Sequence, residues 1–159
     1  MITMKEIYSK QIGLFLENGT SKYLKDENEV TISEFLLIYF EKGIVILRET
    51  NGKFKYLETS DIEKIKSIIM NADKIINSSI KKEEIKKQLD SFFKSNIASI
   101  NVEYRREFID YNETVDSFLN KLKQNKQIII PVIKDKDIVG IVSKDILKSK
   151  IKQIYDIYL

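Results

Sequence analysis

Two places in the sequence carry a hydroxyl side chain and an aspartate, separated by one residue, at the predicted start of a helix. They are Thr59 with Asp61 and Ser143 with Asp145. A helix N-terminus presents unpaired amides and the positive end of the helix dipole, which favour an anion such as phosphate. A nearby carboxylate accepts hydrogen bonds from a diol. The pattern therefore indicates ligand binding, and ordinary helix capping is the alternative interpretation of the same residues.

The composition argues against catalysis and metal binding. The chain contains no histidine and no cysteine, so it lacks the commonest general base, the usual zinc ligands and a thiol nucleophile. We therefore expect no enzymatic activity, no bound metal and no required cofactor. The 27 basic and 24 acidic residues nearly balance, which makes a nucleic-acid partner unlikely because such partners favour strongly basic surfaces.

The sequence predicts neither a membrane span nor an export signal. The longest apolar run, at 35–40, is far shorter than the roughly 20 residues that a bilayer requires. The N-terminus lacks the apolar core of a signal peptide. We therefore expect a cytoplasmic protein without a membrane partner.

Helix and strand signals place the first hydroxyl–aspartate pair between a hairpin and a helix. Thr31 begins a capping box, apolar residues follow at helical spacing, and Gly43 suits the left-handed end of that helix. An Asn-Gly turn signal then joins two apolar strands. The predicted elements are a helix that ends at Gly43, strands at 44–47 and 53–58, and a helix beginning in a second capping box at 60–63.

The second half of the chain repeats this order of elements. Thr114 follows Thr31 by 83 residues and Asp145 follows Asp61 by 84, so a one-residue length change relates the two copies. The predicted elements are a helix with Val115, Phe118, Leu119 and Leu122 on its apolar face, strands at 128–133 and 138–142, and a closing helix from about Asp145 with Leu147, Ile151, Ile154 and Tyr158 on one face.

Shorter segments flank the two copies. We predict a helix within the lysine- and glutamate-rich segment 81–96, short strands at 97–102 and 108–111, and a strand at 12–16. Residues 6–12 also show a faint similarity to 84–89.

Neither copy can be stable alone, because a half of about forty residues cannot bury both faces of its strands and helices. Two such halves packed face to face can. We therefore predict an α+β (α/β-like) fold whose halves are related by a pseudo-two-fold axis. The predicted boundaries are 1–80 for the first half with its N-terminal segment, and 81–159 for the linker helix with the second half, together forming one compact module.

The second copy resembles a known signature. Ile-Pro-Val at 130–132, Ile-Val-Gly-Ile-Val-Ser at 138–143 and Asp-Ile-Leu at 145–147 resemble the CBS domain, and the tandem copies resemble a CBS pair, or Bateman module. Residues 112–147 match well, and 31–62 match in pattern. The resemblance implies β-α-β-β-α halves that form a regulatory module, often a homodimer. It also implies clefts between the halves that bind AMP, ADP, ATP or S-adenosylmethionine.

The resemblance assigns roles to five residues of the second copy. Ile130 and Pro131 correspond to an apolar wall beside the base, and Gly140 to a place where the ligand approaches the backbone. Ser143 corresponds to a phosphate contact and Asp145 to a ribose contact. The residues alone leave other interpretations open, since Gly140 also suits a bulge or a close contact between strand and helix, and Pro131 an edge strand.

The first copy carries Thr59 and Asp61 at the corresponding ligand-binding positions. It departs from the pattern at two places, because Arg48 and Tyr56 stand where the second copy has Val132 and Gly140. In both copies one residue, rather than the usual two, separates the hydroxyl from the aspartate.

The leading interpretation is a non-catalytic regulatory CBS pair that forms a homodimer, senses an adenosine-containing ligand and responds by changing its dimer packing or its binding of an unidentified protein partner. The alternative is a structural or dimerisation module with degenerate ligand clefts. The basic pair Arg105-Arg106 is interpreted as solvated surface, since arginine is usually exposed.

Overall fold

The computed structural model describes residues 2–78 and 81–157, and it divides into two compact units. The contiguous unit is Ser21–Arg106, and the composite unit joins Met1–Thr20 to Glu107–Leu159. This division differs from the predicted boundary between residues 80 and 81. The physical reason is that the N-terminal segment packs into the core of the second half, and the segment between the halves packs into the core of the first half.

The element types agree with the predicted α+β class. The helices are α1 (Met4–Tyr8), α2 (Ile32–Lys42), α3 (Ile62–Ile76), α4 (Lys82–Lys94), α5 (Val115–Asn125) and α6 (Lys144–Tyr155). The strands are β1 (Glu17–Asn18), β2 (Leu24–Asp26), β3 (Ile44–Arg48), β4 (Phe54–Glu58), β5 (Ile109–Asp110), β6 (Ile129–Lys134) and β7 (Asp137–Ser143). Within the described residues, no helix is long and apolar enough to span a bilayer.

The contiguous unit is built on a sheet in the order β2-β3-β4. The outer edge of β4 is covered by Arg105, whose backbone amide and carbonyl exchange hydrogen bonds of 2.9 and 3.0 Å with Tyr56. Helices α2, α3 and α4 belong to the same unit. Helix α2 contacts β3, and α4 contacts both α2 and α3. The core contains the fully buried side chains of Phe35, Val45, Leu47, Leu57, Ile65 and Ile97.

The composite unit is built on a sheet in the order β1-β7-β6-β5. Strand β1 comes from the N-terminal segment and pairs antiparallel with β7. The same segment adds Ile7, Ile12 and Phe15 to the core, and all three are fully buried. They belong to one cluster with Phe118, Ile130, Val132, Val142 and Ile151.

Both helix beginnings predicted from threonine are confirmed. The hydroxyl of Thr31 accepts a hydrogen bond from the Glu34 amide at 3.1 Å, and Thr114 accepts one from the Ser117 amide at 3.1 Å. Gly43 ends α2 with a φ of 74°, as expected of a left-handed C-cap. The closing helix α6 follows its N-cap Ser143 and buries Leu147 and Ile151.

Two predictions about helices α3 and α6 need correction. The capping box lies at Glu58–Asp61 rather than at 60–63, because the Glu58 carboxylate accepts from the Ser60 amide and Asp61 accepts from the Glu58 amide. Ile154 is 51% exposed rather than part of the buried face of α6. Tyr158 lies outside the described residues.

The two flanking segments are equivalent to each other, in a register that differs from the predicted one. Each contains a helix, then a backbone bridge to the N-cap threonine of its unit (Gln11 with Thr114, and Asn96 with Thr31), and then a short 3-10 helix. The strands predicted at 12–16 and 97–102 are therefore wrong. Short apolar runs do not distinguish a strand from a turn that buries one isoleucine.

The strand register also corrects the predicted correspondence between the halves. The core-facing residues Val45 and Leu57 correspond to Ile130 and Val142, an offset of 85, whereas α2 and α5 are offset by 83. The difference arises because two residues, 127–128, separate the C-cap of α5 from β6, whereas Gly43 leads directly into β3.

This register moves the first-half site residues by one position. Glu58 and Ser143 close their strands as N-caps with the same φ of −135°, so Glu58 rather than Thr59 corresponds to Ser143. By the same pairing, Lys55 rather than Tyr56 corresponds to Gly140.

We predict that a cavity made in a flanking segment destabilises the unit it packs into, not the half that follows it. Ile12→Ala removes a fully buried side chain from the composite unit and should cost about 2–5 kcal/mol. Hydrogen exchange should show the largest loss of protection in 129–143. The matched variant Ile97→Ala should show its loss in 44–58, and the reverse assignment would contradict the division into units.

Candidate functional site

A groove of about 620 Å³ lies in the composite unit, where α5 ends and α6 begins. Helix α5 lines it with Leu119, Asn120 and Lys123, and the link to β6 adds Ile128. The start of α6 adds 143–145. Its volume falls within the range of about 300–1,000 Å³ that is typical of small-molecule sites.

The structure brings the predicted residues Ser143 and Asp145 together at this groove. Ser143 is buried, and its Oγ accepts a hydrogen bond from the Ile146 amide at 3.1 Å. It is therefore a true N-cap that fixes where α6 starts. Asp145 follows in the first turn of the helix and is exposed. The capping interpretation thus accounts for Ser143 but leaves the carboxylate of Asp145 available.

The charged side chains around the groove are not paired with one another or with neighbours. Across residues 2–78 and 81–157, the side chains of Lys123, Lys144 and Asp145 make no ion pair or hydrogen bond. Asn120 likewise has no side-chain hydrogen bond within these ranges. The groove therefore offers two cations, one carboxylate and one amide to a ligand.

Three predicted site residues do not line this groove. Ile130 is fully buried in the core, and Pro131 is buried one residue before β6 begins to pair with β5. Gly140 faces β1, where an added Cβ would lie 2.2 Å from the Glu17 carbonyl oxygen. The close approach that requires glycine is thus made by the chain itself, and it is a contact with a neighbouring strand rather than the predicted contact with a helix.

Residues that the motif did not indicate complete the groove. Ile128 is 51% exposed and, with the half-buried Leu119, supplies an apolar wall. Asn120 and Lys123 flank the buried stripe of α5. Two polar residues next to the apolar face of a helix are visible in the sequence. The pattern of apolar residues does not indicate that they line a groove.

The contiguous unit closes the corresponding place with its own hydrogen bonds. The Tyr39 hydroxyl donates to the Thr59 carbonyl at 3.1 Å, and Thr59 Oγ1 donates to the Gly43 carbonyl at 2.9 Å. These bonds tie the end of α2 to the start of α3. The residue of α5 that corresponds to Tyr39 is Leu122, which has no hydroxyl to make such a link.

Asp61 is engaged within the contiguous unit. Its side chain is only 4% exposed, and it accepts from the Glu58 amide at 2.9 Å and from Arg105 Nε at 2.8 and 3.0 Å. Burial disfavours the charged form of Arg105, but the hydrogen bond that Arg105 donates to Asp61 raises the pKa of the guanidinium above its ordinary value. The prediction of a solvated Arg105 is therefore wrong. Arg106 is half exposed and pairs with Glu49.

The outward face of α2 differs in chemistry from that of α5. Leu37 and Phe40 occupy the positions of Asn120 and Lys123, and they are 58% and 59% exposed. In the part of the chain that the structure describes, no group of three or more acidic side chains could hold a metal ion.

We predict that Tyr39 makes the protein sensitive to alkali. Burial, and then the charges of Asp61 and Glu58, raise the pKa of Tyr39 to about 12, so folding favours the protonated phenol. This stabilisation is complete below the unfolded pKa of about 10 and is lost as the pH rises through the folded value. Tyr39→Phe should unfold at higher pH than the wild type in a circular-dichroism titration, and an unchanged alkaline midpoint would contradict the assignment. Tyr8→Phe, at an exposed tyrosine, is the control.

Comparison with known proteins gives matches among solved structures. No protein-family model matches the sequence, and no curated protein matches it significantly. The CBS domain of a CBS domain containing membrane protein from Sphaerobacter thermophilus is 19% identical and has a TM-score of 0.58, with 90% of this chain and 88% of that chain covered.

Two further matches were solved with nucleotides. CBSX2 in complex with AMP is 12% identical with a TM-score of 0.58, over 92% of this chain and 99% of that chain. The CBS domain of a bacterial CNNM/CorC family Mg²⁺ transporter in complex with ATP is 16% identical with a TM-score of 0.54, over 96% and 92%. At these identities the likeness establishes the fold, and the chain has the fold of a CBS domain pair.

Proposed function

We propose that this protein is a non-catalytic regulatory module that binds an adenosine-containing ligand in the groove of the composite unit. The observation that carries the proposal is the exposed Asp145, held at the mouth of an open groove by the Ser143 cap and unpaired among the described residues. The AMP and ATP bound to two proteins of the same fold support this choice of ligand class.

Each part of the groove suits one part of such a ligand. The Asp145 carboxylate accepts hydrogen bonds from the two ribose hydroxyls. Ile128 and Leu119 offer apolar surface to the base. Ile130, Pro131 and Gly140 contribute indirectly, because they build the pairing of β6 with β7, and β7 leads into the start of α6.

The two halves differ in their capacity for a ligand, and we expect one ligand per chain. In the contiguous unit, Asp61 is buried and held by Arg105, and Thr59 is bonded to Gly43. A ligand at this position would have to displace both contacts. In the composite unit, Asp145 has no ion pair or hydrogen bond among the described residues that a ligand would have to displace.

We predict that Asp145→Asn and Asp61→Asn have opposite effects. With AMP, ADP, ATP and S-adenosylmethionine as probes, at least one should raise the melting temperature of the wild type. A ligand at 100 times its Kd adds about 2.7 kcal/mol to the free energy of unfolding. Asp145→Asn should lose this shift and keep the ligand-free melting temperature. Asp61→Asn should keep the shift and be destabilised by about 3 kcal/mol, because it breaks the ion pair between the buried Asp61 carboxylate and the half-buried Arg105.

The same experiment can refute the proposal. It fails if none of the four probes at millimolar concentration shifts the wild type, or if Asp145→Asn responds like the wild type. Calorimetric titration of the effective probe gives the stoichiometry, and two sites per chain would contradict the assignment to one unit.

A second function, assembly through the contiguous unit, has its own support. Leu37 and Phe40 place two large apolar side chains side by side on the exposed face of α2. Burying such side chains stabilises an interface by about 1.5–3 kcal/mol each. This favours a homodimer, or a protein partner, that contacts α2.

We predict that replacing these residues by their α5 counterparts weakens the assembly. Leu37→Asn with Phe40→Lys should raise the dimer dissociation constant about 100-fold or more, since each apolar contact is lost in both protomers. Analytical ultracentrifugation measures the change. Met70→Gln, which alters an exposed residue of α3, is the matched control. A wild type that stays monomeric at high concentration would rule out the homodimer.

A further inference from the structure

The chain contains two Asn-Gly steps, Asn18-Gly19 and Asn51-Gly52. In such a step the backbone nitrogen of the glycine can attack the side-chain amide carbon of the asparagine, because the glycine has no Cβ to hinder the approach. Both steps are exposed, and an added Cβ on either glycine would meet no described atom within 4 Å. We infer that Asn18 is a site of spontaneous deamidation, whereas the fold protects Asn51.

The reaction at Asn18 needs no reagent other than water. The Gly19 nitrogen loses its proton and forms a bond to Cγ of Asn18, while the bond from Cγ to the side-chain nitrogen breaks and that nitrogen leaves as ammonia. The product is a five-membered cyclic imide. Water then opens this ring at one of its two carbonyls and gives either aspartate or isoaspartate, so no atom is oxidised or reduced.

Two hydrogen bonds restrain the Asn51-Gly52 step. The Gly52 amide donates to the Glu49 carbonyl at 2.9 Å, so its proton is engaged. Asn51 Oδ1 accepts from the Lys53 amide at 2.9 Å, which fixes the side chain. Both bonds must break before the Gly52 nitrogen can attack Cγ, and this requirement raises the barrier to the reaction.

Neither restraint exists at the Asn18-Gly19 step. Across residues 2–78 and 81–157, the Gly19 amide and the Asn18 side chain make no hydrogen bond. Gly19 directly follows the last residue of β1 and has a φ of 89°. Rotation of the Asn18 side chain can therefore bring Cγ to the Gly19 nitrogen without breaking a hydrogen bond.

Isoaspartate at position 18 disturbs the pairing of β1 with β7. Strand β1 is two residues long, and Asn18 pairs with Gly140. Isoaspartate adds one methylene group to the main chain and turns the backbone carbonyl of residue 18 into a free carboxylate. Strand pairing depends on the regular spacing of backbone groups, so the pairing at Gly140 is lost. The edge of β7 is then open, which favours pairing with other chains.

Peptide mapping of the full chain during incubation at mildly alkaline pH tests the site. Trypsin releases 11–22, which carries Asn18, and 49–53, which carries Asn51. We expect Asn18 to deamidate about tenfold faster than Asn51 in the folded protein, because two hydrogen bonds must break at the second site. In urea the two rates should become similar. A folded-state rate at Asn18 no greater than that at Asn51, or a difference that persists in urea, would overturn the inference.

Hydrogen exchange measures the effect on β7. After incubation of the wild type, exchange in 137–143 should be faster in proportion to the isoaspartate content. Asn18→Gln keeps an amide at this position but reacts far more slowly, because a six-membered ring must form, and it should keep its protection. Asn51→Gln should behave like the wild type. If the modified wild type keeps the protection of β7, the proposed effect on the sheet is wrong.

Discussion

Strand edges and apolar sheet faces must be covered, and this constraint organises both units. A hairpin alone leaves unpaired backbone groups on each side, which favour pairing with other chains. In the composite unit β1 covers β7 and β5 covers β6, and in the contiguous unit Arg105 covers β4 and β2 covers β3. The segments that cover the outer edges are short. A fully buried isoleucine precedes each of them, Ile12 before β1 and Ile97 before Arg105. The groove exists because this support fixes the strand that leads into α6.

The halves share one architecture but distribute their charges differently. In the contiguous unit charged side chains pair with one another, as Asp61 does with Arg105. The ammonium nitrogen of Lys55 lies 2.6 Å from a carboxylate oxygen of Glu27 and above the ring of Tyr104. Burying a charge is costly unless its partners are well placed. These contacts therefore favour a single arrangement of the side chains in this half. The composite unit instead leaves the charges beside its groove exposed, where hydration offsets the absence of partners.

Much of the fold could be predicted because its signals are local. Thr31 and Thr114 mark helix starts, Gly43 marks a helix end, and the apolar runs mark the hairpins. The errors concern relations between distant parts of the chain. Neither the engagement of Asp61 by Arg105, 44 residues away, nor the position of β1 beside Gly140 leaves a trace in local spacing.

Part of the groove lining could be predicted for the same reason. The sequence places Ser143 and Asp145 together at a helix start, since capping and dipole chemistry can be inferred from adjacent residues. The α5 side of the groove was not, because its meaning depends on the two-residue link 127–128 that separates α5 from β6. That link also displaced the correspondence between the halves, so Thr59 was matched with Ser143 in place of Glu58.

The order of the segments along the chain has a consequence for synthesis on the ribosome. The contiguous unit, Ser21–Arg106, emerges as one uninterrupted stretch and has all its strands before residue 107 is added. The N-terminal segment emerges first, yet its partner β7 ends at Ser143. At about 5–20 residues per second, translation of the intervening chain takes roughly 6 to 25 s. During that interval Ile7, Ile12 and Phe15 have no native surface to cover them, so the nascent chain presents an apolar segment that chaperones can bind.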